Sequence, residues 1–144
     1  MQFLHFADNA DIDMNDKYYK LRPLISHLQA KFKLHFVPVQ NISHDEAILE
    51  YFGHNSMKQK SIRFGYKLWC LNTPEGYLIA FDPYQGKSGK QVEEELAEIF
   101  GKSASTVLVL LDQLPEEVKH LPFHITFYNL FTTLDLLIAV KRRG

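Results

Sequence analysis

The chain has 144 residues, 46% of them apolar, which is enough for the buried core of one compact domain and offers no sign of a second. Sixteen Lys and Arg against 17 Asp and Glu leave a net charge of −1, excluding any global electrostatic pull toward nucleic acid or an anionic membrane. A lone cysteine, Cys70, excludes an intrachain disulfide, and with neither a signal-like segment nor an apolar span of about 18 residues the expected class is soluble, intracellular and free of the membrane.

Residues 9–16 are polar and acidic. Tyr18, Leu21, Leu24, Ile25 and Leu28 then recur at helical spacing, predicting a helix over residues 18–32 with Pro23 in its first turns. Short apolar runs at 35–40 and 46–52 read as strand material around the acidic pair Asp45 and Glu46. Ile62, Phe64, Tyr66, Leu68 and Cys70 alternate with their neighbours, residues 72–76 supply turn formers, and 77–81 return as a strand. An antiparallel hairpin follows.

Beyond a loop at 86–89, Val92, Leu96 and Ile99 share one face of a helix predicted over 90–100, and Glu93 and Glu95 near its start suit the helix dipole better than a metal. A second helix starts near Ser103, buries Val107, Leu108, Leu111 and Leu114, and carries Asp112 toward solvent before Pro115 ends it. Phe123, Ile125 and Phe127 alternate as a short strand. Thr132 then reads as a helix cap, with Asp135 in the first turn and a Phe131 to Leu136 staple. Helix, three antiparallel strands, two helices, strand and helix is an α/β order, fitting a mixed sheet with flanking helices better than a bundle.

Seven histidines, at 5, 27, 35, 44, 54, 120 and 124, lack the compact grouping of a structural zinc site and read as surface or partly buried residues. Two readings stand for Asp45: a solvated strand-end residue, or a weak cation ligand helped by Glu46 or by Asp82 across the sheet. Trp69, Phe127 and Phe131 lie on regular elements and read as packing residues. Lys58, Lys60, Arg63 and Lys67, joined by Lys141, Arg142 and Arg143, read either as a solvated face or as phosphate contacts.

Several blocks together resemble the transposase domain of piggyBac elements and proteins derived from them. Tyr19-Lys20-Leu21-Arg22-Pro23-Leu24-Ile25 is similar to the segment before the catalytic domain, and Ser43-His44-Asp45-Glu46 to the first-acid motif. Residues 62–69, then Gly76-Tyr77 through Tyr84-Gln85-Gly86, resemble the two following strands. Phe127-Tyr128-Asn129-Leu130-Phe131-Thr132-Thr133 resembles the Asp-Asn-x-Phe-Thr-Ser segment. The resemblance implies a partial ribonuclease-H-like domain over 36–144, incomplete as a catalytic unit, behind an N-terminal segment and helix over 1–35.

Working relatives hold two divalent ions on aspartates for phosphoryl transfer. The resemblance puts Asp45 in the first acid's place and Tyr128 in the second's, finds no counterpart of the third, and makes the 57–62 connection shorter than the usual basic loop. No catalytic, metal-binding or cofactor-binding set is therefore expected. Magnesium is implied only for an intact site, and Asp45 is a vestige of it. What the resemblance implies is an inactive transposase-derived domain, either a weak and non-specific DNA binder through Lys58, Lys60, Arg63 and Lys67 or a vestigial product without independent function, inside the cell and with the nucleus as a candidate address. The competing readings are a protein-interaction domain, its partner bound at an exposed sheet edge, and a nuclease fragment completed by another chain.

Overall fold

The computed structural model describes residues 6–8, 10, 13, 15–50, 65–85 and 91–143, and the side chains of 91–94 are not among what it describes. A single 3-10 turn, Tyr19–Leu21, leads into α1, Arg22–Leu34. Pro23 sits in the first turn, where a missing N–H costs nothing. Asp16 fixes that entry by accepting two hydrogen bonds from the Arg22 guanidinium, at 2.6 and 2.7 Å. Lys31 and Lys33 in the last turn complement the negative end of the dipole.

Residues 35–40, expected as a strand, form no strand in the described chain. Pro38 removes a ladder donor there and Val37 is left 76% exposed, so the segment is a connector. Phe36 anchors it by stacking on Tyr77. The strand begins later and runs longer: β1 is Asn41–Glu50, and the expected continuation at 51–52 lies outside the described residues. It pairs antiparallel with β2, Gly65–Asn72, from Ser43 opposite Asn72 to Glu50 opposite Gly65. A Cβ on Gly65 would stand 2.4 Å from the Leu49 carbonyl oxygen, so the tight end of this ladder requires glycine. The expected strand residues Ile62, Arg63 and Phe64 lie outside the described residues.

The hairpin turn closes with Thr73 and Tyr77 paired through their backbones, and Gly76 takes φ +87° within it. β3, Leu78–Pro83, then pairs antiparallel with β2. The register slips between Leu71 opposite Ala80 and Asn72 opposite Leu78, making Ile79 the extra residue of a bulge. As a result Ile79 and Ala80 both enter the larger core, while Leu78 and Phe81 serve the smaller one.

Helices α2, Gln91–Phe100, and α3, Lys102–Asp112, join at Gly101, whose φ of +87° turns the chain between them. The expected α2 face is corrected in one position: Leu96 and Phe100 pack on the core, whereas Ile99 is 65% exposed. Four residues apart, Leu96 and Phe100 form the tighter stripe. α3 buries Ala104, Val107, Leu108, Leu110 and Leu111, and its terminal Asp112 is exposed as expected.

The short strand β4, His124–Phe127, runs parallel to β1, giving a four-stranded sheet in the order β3-β2-β1-β4. This is the ribonuclease-H-like sheet that the resemblance implies. After a 3-10 turn at Asn129–Phe131 comes α4, Leu134–Lys141. Its cap is Thr133, not Thr132: the Thr133 hydroxyl accepts from the Leu136 N–H at 3.1 Å while its own backbone is extended. Thr132 instead closes the preceding turn. The larger core lies between the sheet and α3 and α4, and the smaller, built on Ile25, Cys70 and Phe81, between the sheet and α1.

Candidate functional site

The parallel ladder of β1 and β4 ends one residue before Asp45 and Tyr128. His44 lies opposite Phe127 in the last registered pair of β1 and β4, so Asp45 is the next residue of β1 and Tyr128 the first residue beyond β4. Tyr128 keeps an extended backbone, φ −72° and ψ 159°, and its side chain is 67% exposed. Asp45 is half-buried, and its Oδ1 accepts from the Glu46 N–H at 2.7 Å.

Alternation decides what can join them. Asp45 lies opposite Cys70, which lies opposite Phe81, on the face covered by α1. Glu46 lies opposite Trp69, which lies opposite Asp82. Glu46 and Asp82 are therefore one position out of step with Asp45, and the expectation that either could share a cation with it is corrected by the register. Among the described residues no three His, Cys, Asp or Glu side chains converge. Cys70 is inert as a nucleophile, because burial first and the Asp45 charge second push its thiol up to about 11.

Of the four basic residues proposed for phosphate, only Lys67 is described; Lys58, Lys60 and Arg63 lie outside the described residues. Lys67 forms an ion pair with Glu46, and its ammonium stands 4.4 Å from the centre of the Trp69 ring. Both contacts occupy the charge that a phosphate would need. At the C-terminal end of α4, Arg143 donates to Asp112 at 2.5 Å, while Lys141 and Arg142 are exposed.

Sequence reasoning underrated His44, which is 1% exposed at the centre of the larger core face. Trp69 stacks on it at 6.1 Å between centroids, and Phe131 meets it edge-on at 4.5 Å. Thr106 on α3 donates its hydroxyl proton to the Ser103 carbonyl at 2.7 Å, so its oxygen accepts from His44 Nε2 at 3.2 Å. That assigns the proton to Nε2 and leaves Nδ1 without a partner among the described residues. Burial lowers the His44 pKa to about 4, against a smaller opposing pull from Asp45. The signal was present in the alternation: His44 stands two residues from buried Ile42 and shares its face.

A half-open cleft of about 240 Å³ lies beside Phe123 and Ile125, floored by Leu111, Leu114 and Val140. Its rim charges are already used, Arg143 by Asp112 and Lys119 by Glu116. It is apolar and separate from Asp45.

The family model described as Transposase IS4 matches residues 1–144. Among curated human proteins, "PiggyBac transposable element-derived protein 2" is 37% identical over 146 aligned residues, and "PiggyBac transposable element-derived protein 3" is 43% identical over the same length. The alignments cover 99% and 98% of this chain but 24% of each relative, so the chain spans about a quarter of their length. A cryo-EM structure of a piggyBac transposase synaptic complex with hairpin DNA superposes with a TM-score of 0.71 at 19% identity, over 96% of this chain and 28% of that one. It shares the fold. No helix among the described residues is long and apolar enough to cross a membrane.

Proposed function

The chain belongs to the Transposase IS4 family, and from that premise we propose that it is a transposase-derived domain with no strand-cleaving activity of its own. The observation that supports the reading is the last pair of the parallel β1 and β4 ladder, His44 opposite Phe127, which is followed in the chain by Asp45 on one side and by a phenol, Tyr128, on the other. Phosphoryl transfer by a metal pair needs several anionic oxygens converging on two hard cations. A phenol supplies none near neutral pH. Glu46 and Asp82 are out of register with Asp45, and among the described residues no three acids, histidines or cysteines converge, so the donor set around Asp45 does not fit a two-magnesium centre.

Contact with DNA is the residual chemistry that the relatives suggest, since the fold neighbour was solved on hairpin DNA. In this chain it rests on Lys58, Lys60 and Arg63, with Lys67 partly diverted to Glu46 and Trp69. Such contact is to phosphate, weak and independent of base sequence. A nuclear address follows from that partner. The exposed apolar side of α4 favours a second reading, a protein-interaction domain.

Incubation with magnesium or manganese and linear DNA bearing terminal repeats separates these possibilities from an active nuclease. Background cleavage is expected, for the wild type and for Tyr128→Asp alone. Reproducible nicking that Asp45→Ala abolishes overturns the proposal. Fluorescence anisotropy over a salt series, on repeat and scrambled DNA, tests the phosphate contact: affinity should fall steeply with salt and be equal for the two. Repeat-selective, salt-insensitive binding contradicts it, and no binding at low salt favours the protein-interaction reading.

A further inference from the structure

We propose that the outer face of α4 is a self-complementary docking surface on which a second copy of this chain binds antiparallel. The helix is apolar on both sides. Leu136, Ala139 and Val140 face the core, while Leu134, Leu137 and Ile138 are 73%, 47% and 42% exposed and fall on one stripe with Lys141. Leu130, in the turn before the helix, is also 65% exposed. A surface helix with one buried and one wet side would carry polar residues at 134, 137 and 138; this one does not.

The charges at the two ends of the helix point to a second copy as the occupant. Asp135 lies in the first turn, and Lys141 in the last is followed directly by exposed Arg142. Positions 135 and 142 are two turns apart, so with about 20° of drift they flank the stripe on the same side, about 10 Å apart along the axis. A two-fold axis perpendicular to a pair of antiparallel helices keeps each flank on its own side and exchanges the ends. It therefore sets Asp135 of each copy beside Arg142 of the other, lays the leucine stripes together and opposes the helix dipoles. A parallel pairing, whose two-fold runs along the helices, carries each flank to the opposite side and leaves Asp135 and Arg142 without these partners. One two-turn helix buries well under the ~800 Å² per partner of a tight complex, so the association is weak.

Sedimentation velocity of the whole chain over a concentration series reaching about 1 mM tests the proposal. Mass should rise from 16.8 kDa toward twice that value. Asp135→Arg alone and Arg142→Asp alone should each weaken the dimer by roughly tenfold, the Asp135→Arg and Arg142→Asp double variant should restore it, and a mixture of the two single variants should form the heterodimer in preference to either homodimer. Far-UV circular dichroism shows that each variant is folded, and recovery in the mixture rules out misfolding as the cause of a loss. A monomer throughout the series overturns the proposal. So does an oligomer indifferent to these charges and to Ile138→Glu, which would place the contact elsewhere, for example on the β4 edge.

Discussion

His44 is held with its Nε2 proton given to Thr106 and its Nδ1 lone pair unmatched, between Trp69 and Phe131. A histidine in the unfolded chain titrates near 6.5, whereas this one accepts a proton only near pH 4. Between those values the unfolded chain binds more protons than the folded one, so stability is full above pH 6.5 and is lost as pH falls toward 4, by on the order of 2–3 kcal/mol. Urea unfolding at pH 7, 5.5 and 4.5, compared with His44→Leu, checks this. The variant should lose most of the slope, at little cost to Thr106, which still donates to Ser103. An unchanged slope would mean that other groups govern the acid limit. Tyr128 behaves differently, because an exposed ring contributes little to the fold; Tyr128→Asp should shift stability by no more than about 0.5 kcal/mol in the same titration.

At the scale of elements, the periodic segments were legible and the boundaries less so. α1, α3 and the β2 to β3 hairpin follow from apolar spacing, because one face of each helix meets a core and the two faces of the hairpin meet the larger and the smaller core. β1 was misplaced because its first half is written in polar letters, Asn41, Ser43, His44 and Asp45, and only tertiary packing makes one of these a core residue. The α4 cap was off by one because two threonines stand side by side, and the 3-10 turn that occupies Thr132 is not visible in composition. Thr133→Ala should cost about 1 kcal/mol and Thr132→Ala markedly less, measured by chemical denaturation. Gly65→Ala should cost about 1–3 kcal/mol by forcing a Cβ against the Leu49 carbonyl, and equal stability would show that the strand end can spread.

For the whole molecule, Leu71 is fully buried on the central strand pair and packs in the larger core beneath α3. Leu71→Ala should therefore cost about 2–5 kcal/mol, seen as a fall in the denaturation midpoint. The partner of β1 on its other edge was not legible in the sequence, because no local pattern announces which distant strand lies beside β1. That strand is β4, and its partnership with β1 joins residues 41–44 to 124–127 across most of the chain. Folding order follows from this separation. The α1, β1, β2 and β3 unit closes on itself within residues 17–85 and can form while the chain is still being synthesised, whereas β4 must wait for α2 and α3 to be made. His44 loses its water only at that last closure, when α3 and Phe131 come over it. Mild acid should accordingly slow the late docking step and leave the early hairpin untouched, giving the chain a pH-sensitive final stage of assembly.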